Sequence, residues 1–210
     1  MKKTILGVAF LATFLTSTAQ DKVSKITFGA KAGLNISSAS VDRDYDTDIS
    51  SVIGVHVGGF ANFKLDDKFA VQPELLFSTQ GFKEYDNDGG YIYDDKYKLT
   101  YLNLPVSFQY LVVSKLHVEA GPQVDFLLSG KADGKYYDPM FDETQTQNNV
   151  DIKDSLKSVA FGFNIGAGYA ITPKLSANVR YHLGLSDADD MEGVKIKNRN
   201  FQVGLGYSFN

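Results

Sequence analysis

Eight segments of this chain alternate apolar and polar residues, and this alternation constrains the fold more than any other feature of the sequence. Side chains along a strand point to opposite faces in turn, so each segment predicts a β-strand with one apolar and one polar face. No segment between them shows a convincing helical pattern. The sequence therefore predicts an all-β protein with eight strands: Ile26–Ser37, Val52–Leu65, Lys68–Phe82, Tyr97–Leu111, Lys115–Ser129, Leu156–Ile171, Lys174–Leu185 and Lys197–Phe209.

The connections between these strands alternate in length. Three are tight turns and four are long polar segments: 66–67, 112–114 and 172–173, against 38–51, 83–96, 130–155 and 186–196. Short periplasmic turns and long extracellular loops are typical of outer-membrane barrels. An even number of strands places both chain ends on the periplasmic side. We therefore predict an eight-stranded antiparallel up-and-down transmembrane β-barrel.

The apolar face recurs on every strand, and this decides which face points outward. Eight strands enclose only enough room for side chains that fill the interior, or for one small ligand. The large apolar side chains of all eight strands would not fit there, whereas the opposite face is small or polar. We therefore expect the apolar face to contact lipid. Aromatic residues near strand ends should form interfacial girdles: Phe63, Phe69, Tyr110, Tyr169, Tyr207 and Phe209.

The N-terminal segment has the organisation of a secretory signal peptide. A positive start, an apolar run and small residues follow one another: Lys2 and Lys3, 5–15, and Ser17 with Ala19. The apolar run is shorter than the ~20 residues of a spanning helix. We expect cleavage before Gln20, which separates a signal peptide at 1–19 from a barrel domain at 20–210.

Charge and cysteine content exclude several classes of function. The net charge is −4, from 21 basic and 25 acidic residues. Such a balance argues against a nucleic-acid partner, because phosphate neutralisation needs a basic surface. The absence of Cys excludes disulfides and a thiol-linked lipid. We expect a monomer without a cofactor, in contact with outer-membrane lipid, lipopolysaccharide and envelope proteins.

Ionisable residues on the polar face form the first candidate site. Lys31, Glu74, Glu119 and Arg180 each lie about five residues from the periplasmic start of a strand, which gives them a similar depth. Charges inside a narrow barrel must pair, because unpaired burial is costly. We predict that Arg180 pairs with Glu74, Glu119 or both. The predicted lumen network consists of Lys31, Glu74, Glu119, Asp125, Arg180 and His182. In the structural interpretation these residues fill the lumen, and in the alternative they form a gate or a proton path.

Acidic residues in the long loops form the second candidate site, since most of the 25 acids lie there. Their oxygens suit Ca²⁺, but Ile49 stands where an EF-hand loop would need its glycine. A solvated surface that resists aggregation is the favoured interpretation. The weak metal candidates are Asp44, Asp46, Asp48, Asp86 and Asp88.

Catalysis has little support in the sequence. All three His residues fall in predicted strands, and no Gly-x-Ser-x-Gly motif is present. The loops supply carboxylates without a nucleophile–base pair. We therefore predict a non-enzymatic protein without catalytic residues.

Seven segments carry a further signal, in this order along the chain: Phe28–Asn35, Val71–Ser78, Tyr101–Val106, Val118–Gln123, Gly166–Tyr169, Val179–Leu185 and Asn200–Phe209. Together they resemble the porin-like or PorT-type outer-membrane β-barrel domain common in Bacteroidetes. The resemblance implies the barrel fold but no single function. It leaves open a surface protein, a component of a secretion or envelope-assembly apparatus, and a small pore. Asn210 departs from the pattern, because such barrels often end on the aromatic residue itself.

Overall fold

The computed structural model describes residues 26–42, 48–88, 90–186 and 195–209, and β-strands account for most of them. The strands are β1 Ile26–Asp42, β2 Asp48–Lys64, β3 Phe69–Asp88, β4 Tyr91–Val113, β5 Leu116–Asp138, β6 Glu143–Asp151, β7 Val159–Ala170, β8 Leu175–Gly184 and β9 Lys195–Ser208. A single 3-10 turn at Lys153–Ser155 is the one helical element in these residues. None of the described residues belongs to a helix that could cross a membrane. The predicted signal peptide and its cleavage site lie outside them.

Eight of these strands close into an antiparallel ring. The order is β1-β2-β3-β4-β5-β7-β8-β9, and β9 pairs back onto β1. Strand β6 pairs with β5 outside the ring. Closure leaves no unpaired strand edge in the ring, which a membrane-spanning sheet requires. The predicted eight-stranded antiparallel up-and-down barrel is confirmed.

Two segments predicted as long loops, 83–96 and 130–155, are largely β-sheet. Strands β3 and β4 continue as a paired hairpin through the first, and β5 and β6 pair within the second. The prediction was wrong there because charged residues occupy both faces. A register shift between Thr100 and Tyr101 also changes the phase of the alternation in β5.

Exposure alternates along the strands and places the apolar residues outside. Val57 is 53% exposed beside His56 at 2%, and Ile165 is 49% exposed beside Asn164 at 0%. An apolar outer surface around the whole ring suits hydrocarbon rather than water. At the periplasmic end the ring of Phe69 lies 5.1 Å from that of Tyr110, as expected for an aromatic girdle.

Side chains fix the short periplasmic turns. Asp66 Oδ1 accepts hydrogen bonds from the backbone N–H groups of Lys68 and Phe69 at 2.7 and 2.8 Å. Thr172 Oγ1 accepts one from the N–H of Leu175 at 3.0 Å. Such turns satisfy the backbone locally and hold neighbouring strands in register. The register in turn sets the height of every inward-facing residue.

Candidate functional site

An ionic layer crosses the periplasmic half of the lumen. It consists of Lys31, Glu74, Glu119 and Arg180, which come from β1, β3, β5 and β8, every second strand of the ring. All four residues are at most 5% exposed. Because these strands all rise from the periplasmic side, inward positions at equal distance from their starts converge on the barrel axis.

The guanidinium of Arg180 is the centre of the ionic layer. Its Nη1 and Nη2 donate to Oε2 and Oε1 of Glu74 at 2.9 and 2.7 Å. Its Nε donates to Glu119 Oε1 at 2.9 Å. Lys31 Nζ lies 3.1 Å from Glu74 Oε1. Two cations therefore face two carboxylates with charge-assisted and partly bidentate hydrogen bonds, the arrangement that compensates buried charge best.

Amide side chains surround the carboxylates of the ionic layer. Gln72 Nε2 donates to Glu74 Oε1 at 2.8 Å, and Gln109 Nε2 donates to Glu119 Oε2 at 3.1 Å. Asn62 Nδ2 donates to the side-chain oxygens of both glutamines at 2.9 and 2.7 Å. A network with this many partners is rigid, because each group fixes the orientation of the next.

Asp125 and His182 lie above the ionic layer, toward the extracellular side, in a separate amide layer. His182 Nε2 is 3.3 Å from Asp125 Oδ2, and its Nδ1 is 2.9 Å from Asn164 Oδ1. Asn164 Nδ2 donates to Gln123 Oε1 at 2.8 Å, and Gln123 Nε2 donates to Asp125 Oδ1 at 2.6 Å. The six residues predicted as one network thus occupy two layers.

The opposite wall of the amide layer is built around Asn35. Its Oδ1 is 2.8 Å from His56 Nδ1 and accepts a hydrogen bond from Gln202 Nε2 at 3.2 Å. Its Nδ2 donates to Ser78 Oγ at 2.9 Å. The sequence placed these residues on the inner face but did not identify them as partners. Only the register of β1, β2, β3 and β9 brings them together.

Glycines of β7 make room for two imidazole rings. A Cβ atom at Gly162 would lie 2.2 Å from Cε1 of His182, and one at Gly168 would lie 2.2 Å from Cε1 of His117. Real Cβ atoms do not approach other atoms that closely. The small residues of this strand are therefore required by the filling of the lumen.

The extracellular end of the lumen is apolar, which the sequence analysis missed. The buried residues of this apolar layer are Ala39, Phe82, Leu99, Tyr101, Leu127 and Ile196. Phe82 stacks on Tyr97 with ring centroids 4.5 Å apart. The signal lay in the inward phase of the strands, which includes Phe82, Leu99, Tyr101 and Leu127 inside the predicted strands and continues past the predicted ends to Ala39 and Ile196. Ile196, for example, directly precedes the predicted start of the last strand.

Two cavities lie at the ends of the lumen, with the three layers between them. The periplasmic cavity, about 410 Å³, is lined in part by Lys31, Gln72 and Gln109. The extracellular cavity, about 330 Å³, is lined in part by Phe82 and Ile196. The buried side chains of the ionic, amide and apolar layers occupy the lumen between the two cavities.

The weak metal candidates do not form a site in the described residues. Asp44 and Asp46 lie outside them, as does the side chain of Asp88. Asp48 and Asp86 stand on β2 and β3. No group of three or more His, Asp or Glu side chains that could hold a metal ion occurs in the part of the chain the structure describes.

The closed ring, the apolar outer surface and the polar lumen define a bacterial outer-membrane β-barrel protein. Residues 18–190 match the outer membrane protein beta-barrel domain family, and the chain belongs to that family. No protein of curated function matches the sequence significantly.

Solved outer-membrane barrels are similar to this chain in fold. Neisserial surface protein A is 15% identical with a TM-score of 0.51, over 88% of this chain and 99% of that one. Ail, the attachment invasion locus protein of Yersinia pestis, is 13% identical with a TM-score of 0.49, over 87% and 98%. OprG of Pseudomonas aeruginosa is 12% identical with a TM-score of 0.47, over 89% and 97%.

Proposed function

We propose that this protein is a non-enzymatic surface protein that binds partners through its extracellular hairpins and does not conduct solutes. The observation that carries the proposal is an aromatic and apolar surface, exposed or half-buried, at the ends of these hairpins. This surface, the hairpin tip, consists of Tyr91, Tyr93, Tyr136, Met140 and Phe141. It lies on β4, on β5 and in the turn between β5 and β6.

The hairpin tip combines ordered aromatic rings with freely exposed apolar groups. The ring of Tyr136 lies 6.2 Å from that of Tyr91 and 5.0 Å from that of Tyr93. Met140 and Phe141 are 75% and 74% exposed. This end of the barrel is beyond the lipid, so the apolar groups meet water. Clustered tyrosines and large apolar side chains in water are characteristic of protein-binding surfaces.

Carboxylates surround the hairpin tip. Asp138, Asp142 and Glu143 adjoin Phe141 and Met140 in the β5–β6 hairpin, and Tyr137 Oη donates to Asp142 Oδ1 at 3.1 Å. This charge favours a basic protein surface, or the divalent cations held by lipopolysaccharide. The same surface would suit a PorT-like component of a secretion or envelope-assembly apparatus. The identity of the protein that this surface binds distinguishes that role from the role of a surface protein.

The filled lumen supports the non-conducting part of the proposal over a small pore. A planar-bilayer recording tests it directly. We expect no current steps from the wild-type protein at neutral pH, because the ionic and amide layers occupy the lumen. Steady single-channel steps from a pure, folded preparation would contradict this part of the proposal.

Binding at the hairpin tip is tested by site-specific cross-linking in native outer membranes. A photoreactive amino acid at position 141 should capture a defined protein, and one at the lipid-facing position 165 should not. The M140S/F141S variant should lose that partner in co-purification, whereas the matched K135S/Q145S variant of the same hairpin should retain it. Equal recovery with both variants would contradict the assignment of the tip.

A further inference from the structure

Three strands carry matching rows of outward-facing polar residues just above the apolar belt. The lower row places Thr79, Thr100 and Ser129 side by side on β3, β4 and β5. Higher up, Lys98 lies opposite Lys131 in the register of β4 and β5, and Lys83 lies opposite Lys96 in that of β3 and β4. A row of hydroxyl groups is thus followed by a cluster of four lysines.

The height of these lysines corresponds to the headgroup layer of the outer leaflet. Strand β4 rises roughly 30 Å between Tyr110 of the periplasmic girdle and Lys98, at ~3.3 Å per residue and ~40° tilt. The apolar band of such barrels is about 25 Å tall. Lys98 therefore lies directly above the hydrocarbon, where the charged groups of lipids are concentrated.

The lysine cluster is only partly neutralised by neighbouring acids. Asp133 pairs with Lys98 and accepts the N–H of Asn149 at 2.9 Å. Asp151 lies beside Lys131 in register and accepts the N–H of Lys153 at 3.0 Å, and Asp94 is on the same face of β4.

Three of the lysines lack an ion-pair partner of their own. Within the described part of β3, β4 and β5, Lys83, Lys96 and Lys131 make no ion pair within 4.0 Å, although Asp133 lies opposite Lys96 and Asp151 opposite Lys131 in register. Like charges directly opposite on neighbouring strands are destabilising. An anion shared between them would remove that repulsion.

We propose that Lys83, Lys96, Lys98 and Lys131 form a binding site for the phosphate groups of a phosphorylated glycolipid of the outer leaflet. The lysines supply point charges at the correct height, and the hydroxyl groups of Thr100 and Ser129 below them can donate to the sugar–phosphate backbone. The hydroxyl of Thr79 already bonds to the backbone of Val55. The adjoining apolar belt would contact the acyl chains of the same molecule. This site is separate from the hairpin tip, and failure of either assignment leaves the other intact.

The test measures stabilisation of the folded protein by defined lipids. A ligand that binds only the folded state raises the unfolding temperature. The full barrel is reconstituted in phosphatidylcholine vesicles, with or without diphosphorylated lipid A. We expect lipid A to raise the unfolding temperature of the wild type. The shift should fall by more than half in K83Q/K96Q/K131Q and persist in K64Q/K68Q/K115Q, which removes three lysines at the periplasmic end.

Two further arms identify the ligand and show that the variant folds. Lipid A without its phosphates, and inorganic phosphate without lipid A, should each give little shift. In plain phosphatidylcholine, K83Q/K96Q/K131Q should unfold close to the wild type, because it loses the repulsion between lysines together with the attraction of Lys96 to Asp133 and of Lys131 to Asp151. Equal stabilisation of wild type and K83Q/K96Q/K131Q by lipid A would overturn the proposal. So would a full shift with inorganic phosphate alone, which would indicate a site for free anions.

Discussion

Arg180 and Glu74 belong to diametrically opposite strands of the ring, β8 and β3, and join across the lumen through two hydrogen bonds of 2.9 and 2.7 Å. Lys31 on β1 and Glu119 on β5 occupy the other diagonal. The barrel is therefore braced across its interior by charge as well as around its wall by backbone hydrogen bonds.

Removing the guanidinium should destabilise the barrel strongly. Arg180→Met leaves Glu74 and Glu119 with Lys31 as their remaining cation. One-sided loss of a buried ion pair typically costs ~3–5 kcal/mol. The free energy of unfolding can be measured by urea titration in detergent micelles. Arg199→Met, at an exposed position on β9, is the control and should change it little.

Neutralising the carboxylates together with the arginine should recover much of that loss. The triple variant E74Q/E119Q/R180M removes the uncompensated charge and should be more stable than R180M alone. If R180M were as stable as the wild type, the ionic layer would not be the main brace of the lumen.

The cost of an outward charge should depend on depth. Val106→Arg places a cation near the middle of the apolar belt and should cost ~2–4 kcal/mol, whereas Val113→Arg at the periplasmic end should cost ~0–1 kcal/mol. Refolding into lipid vesicles under urea measures both. Equal costs would contradict the position of the membrane along β4.

The space around His182 should not tolerate a methyl group. Gly162→Ala would put Cβ 2.2 Å from the ring, and overpacking of this kind typically costs ~1–3 kcal/mol. Gly59→Ala is the matched control, since the one contact its Cβ would make is 3.5 Å away. Thermal unfolding should separate the two variants. Adding His182→Ala to G162A should recover only part of the loss, since Cβ would still lie 2.7 Å from the carbonyl oxygen of Leu183. No recovery at all would show that the ring is not the main source of the strain.

Asp95 and Asp133, which lie above the membrane, should affect the stability of the folded protein in opposite directions. Partial burial, with Glu84 and Asp94 nearby, raises the pKa of Asp95 above its ordinary value. Folded protein then binds the proton more tightly than unfolded chain, so stability falls as pH rises through the window between the unfolded and folded pKa values. Asp95→Asn should therefore stabilise the protein at neutral pH and lose this advantage in acid.

Asp133 provides the opposite case. The hydrogen bond with Lys98, aided by the backbone N–H of Asn149, lowers the pKa of Asp133. The stabilisation that Asp133 contributes to the folded protein is present above the ordinary aspartate pKa. It is lost as pH falls through the lowered pKa of the folded state. Asp133→Asn should thus destabilise at neutral pH and match the wild type in acid. The urea midpoint of each variant is compared with that of the wild type from acid to neutral pH. Shifts of both midpoints in the same direction at neutral pH would contradict the two predictions.

The sequence predicts the strands of the barrel better than the contacts between the side chains in its lumen. Alternation of apolar and polar residues is repeated on eight strands, so the ring, its closure and the outward face could be predicted without coordinates. The partners of Asn35 could not, because they depend on the register of four strands. The split of Asp125 and His182 from the ionic layer depends on height along the strands, since Asp125 lies six residues beyond Glu119 on β5 and His182 two residues beyond Arg180 on β8. The apolar layer was missed because Phe82, Leu99, Tyr101 and Leu127 are large apolar residues on a face that is otherwise small or polar, and because Ala39 and Ile196 lie beyond the predicted strands.

The position of Arg180 late in the chain has a consequence for biogenesis. Its two carboxylate partners reside on β3 and β5, which precede β8 by many residues. A nascent sheet that had not yet received β8 would carry Glu74 and Glu119 against Lys31 alone, an excess of negative charge that resists transfer out of water. The ionic layer reaches charge balance, two cations against two carboxylates, only when β8 has joined the sheet. A product truncated before β8 would therefore retain an uncompensated carboxylate in this layer inside the bilayer.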